Sequence, residues 1–188
     1  GDGTNPFNFT TDVDASDAAP TPGGVTTADN GAITVDQTNG TIAIPTVELT
    51  DAVIATYEEG DVSGSAVQNG DLLAVAGLNG GAGFAGITGT TDTSAPDANA
   101  TFTGNYAVTN RSGTATGPIE IIYTFGNTTL VSSGGDLSVA AIADGAALSG
   151  SVTYAGESGT LKGGFYPDGN LAAAFNGDTM GGVIFAAQ

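Results

Sequence analysis

Apolar and polar residues alternate in short segments between residues 101 and 187. The eight segments read TFTGNYAVT, PIEIIYTF, TTLVSS, LSVAAIA, ALSGSVTYA, GTLKGGFY, NLAAAFN and GGVIFAA. A side-chain period of two is typical of β-strands that bury one face. Turn residues separate the segments, including Asp144–Gly145 and Asp168–Gly169, and Asp-Gly favours a tight hairpin because the turn needs positive φ angles. The pattern predicts strands joined by hairpins.

Most of these segments carry an apolar face, usually with one aromatic residue. The residues predicted on these faces are Phe102, Gly104, Tyr106 and Val108; Ile119, Ile121, Tyr123 and Phe125; Leu148, Gly150, Val152 and Tyr154; Leu161, Gly163 and Phe165; Leu171, Ala173 and Phe175; and Gly181, Val183 and Phe185. Closure into an up-and-down barrel removes both exposed edges of such a sheet. We therefore predict an eight-stranded antiparallel barrel in which the first strand pairs with the last. At this strand number the side chains fill the interior, so a packed core is expected.

The first half of the chain has a weaker pattern. Candidate strands are ITVDQ, TIAIPTVELT, AVIATYEEG, VSGSAVQ, LLAVAGLNG and GFAGITG, followed by the linker TTDTSAPDANA. The chain begins with a polar run rich in Asp, Thr, Gly and Pro, which is typical of a flexible tether. No segment shows helical periodicity. The fold class is therefore predicted as all-β, with a flexible acidic tether (residues 1–30), a smaller β-rich region (31–99) and the C-terminal barrel (100–188).

The charge balance excludes several classes of chemistry. The chain has two basic and twenty acidic residues, no histidine and no cysteine, for a formal net charge of −18. Without histidine or cysteine there is no imidazole acid–base catalysis, thiolate nucleophile or disulfide. Two cationic side chains cannot form a surface for nucleic acid. The acidity favours either adaptation to a salty or extracellular medium, or a surface that binds cations or a cationic partner.

Three aspartates near the N-terminus form the candidate metal site. Asp12, Asp14 and Asp17 could supply oxygen ligands to a loosely held Ca²⁺. An EF-hand is excluded because the sixth and twelfth loop positions hold Asp17 and Gly23 in place of glycine and glutamate. The alternative is a solvated acidic tether. No other cofactor is expected.

Two further motifs favour structural interpretations. The run Gly81–Gly86 matches the dinucleotide-binding pattern GxGxxG, but no helix is predicted after it to hold a pyrophosphate, so a glycine-rich turn and strand is expected. Glu58, Glu59 and Asp61 form a dense acidic cluster. Adjacent strand residues point to opposite faces, so these carboxylates are expected on a hairpin rim rather than across a catalytic cleft.

Lys162 and the barrel tyrosines also have candidate chemistry. A lone lysine can form a Schiff base when desolvated, but alternation places Lys162 on the outer face, together with Tyr166. Tyr106, Tyr123 and Tyr154 could ligate haem iron. All three are predicted inside the barrel, where packing is the expected role. Because Tyr166 points outward, its replacement is expected to cost much less stability than that of an inward-facing ring.

Short glycine-aromatic motifs near the C-terminus carry a family resemblance. The strand Gly163-Gly164-Phe165-Tyr166 is followed by Gly181-Gly182-Val183-Ile184-Phe185, and ATFTGNYAV opens the barrel. These motifs resemble the C-terminal part of the transferrin-binding-protein-B-like β-barrel family, over roughly residues 78–188. The chain departs from the family pattern at Pro167, where glycine is usual, and at Met180, where glutamate is frequent.

The resemblance implies a surface lipoprotein of Gram-negative bacteria, with a β-rich handle before the barrel. Residues 31–99 would be that handle. We therefore expect a non-enzymatic binding protein at the extracellular or outer-membrane surface, attached to the membrane only through an N-terminal lipid anchor. Its partner would be a protein or other macromolecule with a cationic face, bound through loops. The alternative is a coat, filament or adhesin subunit that self-associates through β edges; a carboxylate-based hydrolase is a third, weaker reading.

Overall fold

The computed structural model describes residues 9–10, 21–22, 25–27, 33–37, 40–45 and 47–188. Its strands are β1 (Phe9–Thr10), β2 (Thr21–Pro22), β3 (Val25–Thr27), β4 (Ile33–Gln37), β5 (Gly40–Ile44), β6 (Ala55–Glu59), β7 (Val62–Asn69), β8 (Leu72–Asn79), β9 (Ala82–Thr88), β10 (Ala100–Asn110), β11 (Gly113–Thr124), β12 (Thr129–Ser132), β13 (Ser138–Asp144), β14 (Ala147–Tyr154), β15 (Glu157–Tyr166), β16 (Asn170–Asn176) and β17 (Met180–Ala187). A single 3₁₀ turn, Pro167–Gly169, joins β15 to β16. Within these ranges, no helix has the length and apolar character needed to cross a membrane.

Strands β10 to β17 form a closed antiparallel barrel in which each strand pairs with its sequence neighbours. The barrel closes between β10 and β17, where pairing runs from Thr103 opposite Ala187 to Asn110 opposite Met180. Each of the eight predicted C-terminal segments corresponds to one barrel strand. The prediction of an all-β chain with an eight-stranded up-and-down barrel is confirmed.

The lumen is filled by one face of each strand. Its aromatic rings include Phe102, Tyr123 and Phe165, whose centroids lie 5.3–5.6 Å apart in the pairs Tyr123–Phe165 and Phe102–Phe165. Glycines on the same face allow the strands to coil tightly: a Cβ at Gly104 would lie 2.1 Å from the carbonyl oxygen of Phe185. The predicted inner faces of β10, β14, β15 and β16 are confirmed.

Four of the predicted inner positions are wrong: Phe125, and the β17 residues Gly181, Val183 and Phe185. Along β17 the residues in the lumen core are Met180, Ile184 and Ala186, whereas Val183 and Phe185 lie on the outside of the barrel. The strand begins at Met180 and is apolar on both faces, so alternation could not set its register. Phe125 lies beyond the end of β11, and half of its surface is exposed.

A second sheet covers one side of the barrel. Strands β6 to β9 form a four-stranded antiparallel sheet. One face of that sheet packs against outward-facing residues of β10, β15, β16 and β17, which we call the covered wall. The covered wall consists of Ala107, Tyr166, Ala172, Ala174, Val183 and Phe185, and the sheet contributes Val67, Leu72, Ala74, Ala76, Ala85 and Ile87.

The other face of the four-stranded sheet packs against the sheet β3–β4–β5. Their shared core contains Tyr57, Val75 and Phe84 from the four-stranded sheet, with Val25 and Val35 opposite. The middle sheet is thus buried on both faces, which explains the weak alternation of segments such as LLAVAGL. Strands β1, β2 and β3 lie within residues 1–30, where the sequence predicts a flexible tether. Instead, β1 pairs with β2, and β3 pairs with β4.

Tyr166 is buried, contrary to the sequence-based expectation. Its side chain points out of the barrel, as the alternation predicts, but the four-stranded sheet covers it and leaves only 5% of its surface exposed. The prediction that Tyr166 contributes little to stability assumed that the outer face meets water. The covering sheet removes that assumption.

Backbone contacts hold the middle sheet close to the barrel. The N–H group of Gly83 donates a hydrogen bond of 2.9 Å to the carbonyl oxygen of Asp178, in the β16–β17 loop. The carboxylate of Glu157 orders this loop, because it accepts hydrogen bonds from the backbone N–H of Thr179, at 2.8 Å, and from the Thr179 hydroxyl. A main-chain hydrogen bond therefore joins the β16–β17 loop to the four-stranded sheet, in addition to the apolar packing between the layers.

We predict that the protein loses stability in alkali because of its buried tyrosines. Burial raises the pKa of Tyr57 and of Tyr166 well above the ordinary value of 10.0, and Asp71 adds to the effect at Tyr166. Both rings stay neutral in the folded state while the unfolded chain ionises, so the stabilisation is complete below pH 10 and declines above it. Each tyrosine should contribute a slope of about 1.4 kcal/mol per pH unit.

The measurement is urea unfolding between neutral pH and strong alkali, with Tyr57→Phe and Tyr166→Phe as variants. Tyr57→Phe should also lower the baseline, because the Tyr57 hydroxyl donates a 2.8 Å hydrogen bond to the Ala76 carbonyl oxygen. Each variant should show a shallower decline than the parent chain. Identical slopes in all three proteins would show that these tyrosines do not cause the loss of stability above pH 10.

Candidate binding surfaces

The barrel lumen leaves no room for a ligand. The residual space among its side chains is about 10 Å³ and is lined by apolar residues such as Ile121, Leu161 and Ile184. A space of that size holds at most a single water molecule, and an apolar lining would not retain one. A ligand must therefore be recognised on the outside of the barrel or of the sheets.

The lumen tyrosines are packing residues. Tyr106 and Tyr154 meet edge to face with ring centroids 6.2 Å apart, and Tyr123 packs against Phe165. Burial raises the pKa of Tyr106, and the nearby Tyr154 and Asp136 raise it further. A neutral phenol in a filled lumen is poorly suited to bind haem iron, which requires the phenolate and an open coordination position.

The predicted acidic sites have different outcomes. Asp12, Asp14 and Asp17 lie outside the described residues, so the calcium site stays a prediction. Glu58, Glu59 and Asp61 are exposed around the β6–β7 hairpin, as expected for a charged rim. In the described ranges, no group of three acidic residues is arranged to hold a metal ion.

The glycine motif and the lone lysine also occupy structural positions. Gly80 and Gly81 form the turn between β8 and β9, both with positive φ, and the chain continues as a strand rather than a helix. The geometry needed to bind a pyrophosphate is therefore absent at this motif. Lys162 lies on the outer face of β15, between Ser149 of β14 and Ala174 of β16 in the sheet, and is half-buried.

Two recesses lie next to the covered wall. The larger, of about 390 Å³, lies at the end of the barrel where the segment before β10 passes the turn between β15 and β16; its lining includes Asp92, Asp97 and Tyr166. The second, of about 280 Å³, lies between the loop at Val53 and the barrel residues Asn105, Thr116 and Phe185. Both are open to solvent and neither contains a set of converging catalytic groups.

A third surface lies on the side of the barrel that none of the described sheets covers. We call it the open wall: the outward-facing residues of β11 to β14. It exposes three large apolar side chains, Ile122 (36%), Val131 (47%) and Ile142 (59%). A shallow groove of about 320 Å³ runs across it and includes Ala140, Ser149 and Ser151.

The apolar residues of the open wall are neighbours across the sheet. Ile122 pairs with Val131, and Val131 pairs with Ala140. Thr129, two residues before Val131 on the same face, pairs with Ile142. Among the outward-facing residues of β11 to β14, the charged ones are Glu120 and Asp144, both exposed and each two residues from an isoleucine. The open wall is thus an uncharged apolar strip with a carboxylate at each end.

Sequence reasoning missed the open wall, although a signal was present. In IEIIYT, TLVS and SVAAIAD, apolar residues occur in adjacent positions and break the alternation. Adjacent apolar residues place apolar groups on both faces of a strand. In β8, β16 and β17 the same signal accompanies burial on both faces, whereas in β11 to β13 the outward set is exposed.

Comparison with known proteins gives the fold. The sequence matches no protein-family model and no curated protein. The structure superposes on transferrin-binding protein B (TbpB) from Neisseria meningitidis serogroup B with a TM-score of 0.56 at 12% identity, over 96% of this chain and 43% of the other. Intact Ap-TbpB, with its N and C lobes, gives 0.54 at 14% identity over 97% and 46%. The fold is TbpB-like.

The structure is also similar to that of the haemoglobin receptor HpuA. HpuA from Kingella denitrificans, solved in complex with human haemoglobin, superposes with a TM-score of 0.54 at 11% identity, over 82% of this chain and 75% of HpuA. The present chain spans less than half the length of the TbpB chains that it matches. The resemblance found in the C-terminal motifs is confirmed at the level of the fold.

Proposed function

We propose that this chain is a non-enzymatic binding protein of a bacterial cell surface that recognises a macromolecule through its exterior. The observation that carries the proposal is the filled lumen beside an exterior with several recesses. A barrel of this kind acts as a rigid support for surface contacts rather than as a container. The TbpB-like fold supports a role in binding, because TbpB is a transferrin-binding protein and HpuA was solved in complex with human haemoglobin.

The charge of the chain supports a partner with a cationic face. With a formal charge of −18, the protein attracts basic surfaces and repels acidic ones. Such attraction mainly accelerates encounter, and it is screened by salt. The association rate constant should therefore fall as ionic strength rises, while the dissociation rate changes less.

The proposal is tested by measuring binding kinetics in biolayer interferometry, with the intact chain immobilised. Haemoglobin, transferrin and basic serum proteins are applied at low and high sodium chloride, and surface exposure is checked by antibody labelling of intact cells. Saturable binding of a macromolecule with a salt-sensitive association rate is the expected result. Retention of a small apolar molecule inside the barrel, with no macromolecule bound, would contradict the proposal.

A further inference from the structure

The open wall exposes outward-facing apolar side chains, whereas those of the covered wall are buried under the four-stranded sheet. Strands that are apolar on both faces are covered on both faces where they belong to the middle sheet or to the covered wall. In β13 every outward residue is exposed, including the apolar Ala140 and Ile142. Exposure of large apolar side chains that are neighbours in a sheet is costly in water and often marks an interaction surface.

The shape of the open wall suits a flat or extended protein partner. Around Ile122, Val131 and Ile142 the outward positions carry small residues, among them Ala140, Ser149 and Ser151, and a groove runs across them. The covered wall of the same barrel is also rich in small residues, and it packs against a β-sheet. The open wall has no such partner within the described residues.

The charges at the two ends of the open wall select the partner. Glu120 and Asp144 flank the apolar strip, and both carboxylates are exposed. The two basic residues of the chain do not neutralise them: Arg111 lies over Gly81 at the β8–β9 turn, and Lys162 lies on β15, beyond Ser149. A second copy of this chain would add like charges at the contact, whereas a basic partner would pair with them.

We propose that the open wall binds a protein segment with an apolar centre flanked by lysine or arginine. The apolar centre packs on Ile122, Val131 and Ile142, and the basic flanks lie near Glu120 and Asp144. This inference rests on the proposed binding function and assigns both its surface and the chemistry of its partner. The apolar contact supplies most of the affinity, and the charged ends determine orientation and on-rate.

The test uses a synthetic peptide whose centre alternates valine and threonine and whose ends carry lysines. Two matched peptides serve as probes of chemistry: one with glutamate ends, and one with a serine–threonine centre. Affinity for the intact chain is measured by fluorescence anisotropy. The lysine-ended apolar peptide should bind, and each matched peptide should bind at least about tenfold more weakly. Equal binding of the glutamate-ended peptide, or no binding of the lysine-ended one, would overturn the proposal.

Protein variants locate the contact. The triple variant Ile122→Ser, Val131→Ser, Ile142→Ser removes the apolar strip at exposed positions and should retain the fold, which circular dichroism and urea unfolding check. It should bind the lysine-ended peptide more than about tenfold more weakly. The matched control Val53→Ser removes an apolar side chain that is just as exposed, beside the other recess, and should bind like the parent chain. Unchanged binding by the triple variant would contradict the assignment.

Two further results separate this inference from the proposed function. If the chain binds a macromolecule and the triple variant binds it equally well, the open wall is not the contact, and the binding function stands. If neither protein binds any macromolecule, the binding function itself fails. A parent chain that dimerises in sedimentation velocity, and a triple variant that does not, would assign the wall to a second copy and overturn the basic-partner inference.

Discussion

Replacing Tyr166 with alanine is expected to destabilise the protein about as much as replacing Phe165, by about 3–5 kcal/mol in each case. Phe165 fills the lumen beside Tyr123 and Phe102. Tyr166 faces the opposite way but is buried between the barrel and the four-stranded sheet. Both substitutions leave a large cavity in a packed interface, so both should lower the midpoint of urea unfolding.

Phe125→Ala is the control for this pair. Its ring is half exposed at the end of β11, so its loss should change the free energy of unfolding by less than about 1 kcal/mol. A Tyr166→Ala cost as small as that of Phe125→Ala would show that the four-stranded sheet does not cover the barrel in solution. A Phe165→Ala cost that small would instead contradict the lumen packing.

Gly181→Ala is expected to weaken the docking of the four-stranded sheet on the barrel, at a cost of about 1–3 kcal/mol. A Cβ at Gly181 would lie 2.6 Å from the backbone N and O of Gly77 and from the carbonyl O of Phe84. These are main-chain atoms of β8 and β9, which cannot move aside without shifting the sheet. The added methyl group should therefore separate the two layers locally.

The matched substitution is Gly126→Ala, where no atom lies within 4 Å of the new Cβ. It should be nearly neutral in urea unfolding. Hydrogen exchange adds a local readout, because the amides of β8 and β9 should exchange faster in Gly181→Ala and not in Gly126→Ala. Equal stability and equal exchange in both variants would mean that the close approach of the two layers is not maintained in solution.

The barrel could be predicted from the sequence because its strands meet two different environments. Segments such as ALSGSVTY alternate strictly, since one face fills the lumen and the other faces water. Residues such as Asp144–Gly145 mark the turns in the sequence. The connections are short, so each strand is expected to pair with its neighbours in the chain. Closure then follows from the need to remove two edges, and the β10–β17 pairing shows that closure.

The failures occur where both faces of a strand are covered. The register of β17 was wrong because Met180–Ala187 is apolar on both sides, so no alternation distinguishes lumen from sheet. The contribution of Tyr166 was underestimated for the same reason: sequence periodicity shows which way a side chain points, not what lies there. Phe125 fits the periodicity but falls past the end of its strand, at a boundary that local pattern does not define.

The candidate surface was only partly predictable. The exclusion of imidazole, thiolate and nucleic-acid chemistry follows from composition and directs attention to surface binding. The break in alternation at Ile121–Ile122 and Leu130–Val131 is visible in the sequence. Its meaning depends on which side of the barrel the four-stranded sheet covers, and only the tertiary arrangement determines that.

Methyl NMR of the intact chain, titrated with the lysine-ended peptide, tests the central claim that recognition uses the exterior of a filled barrel. Ile121 and Ile122 are adjacent in β11, yet the first lies in the lumen core and the second on the open wall. The account predicts that the methyl signals of Ile122, Val131 and Ile142 shift on binding, while those of Ile121 and Ile184 stay in place. Shifts concentrated at Ile121 and Ile184, with the open-wall methyl signals unchanged, would contradict it.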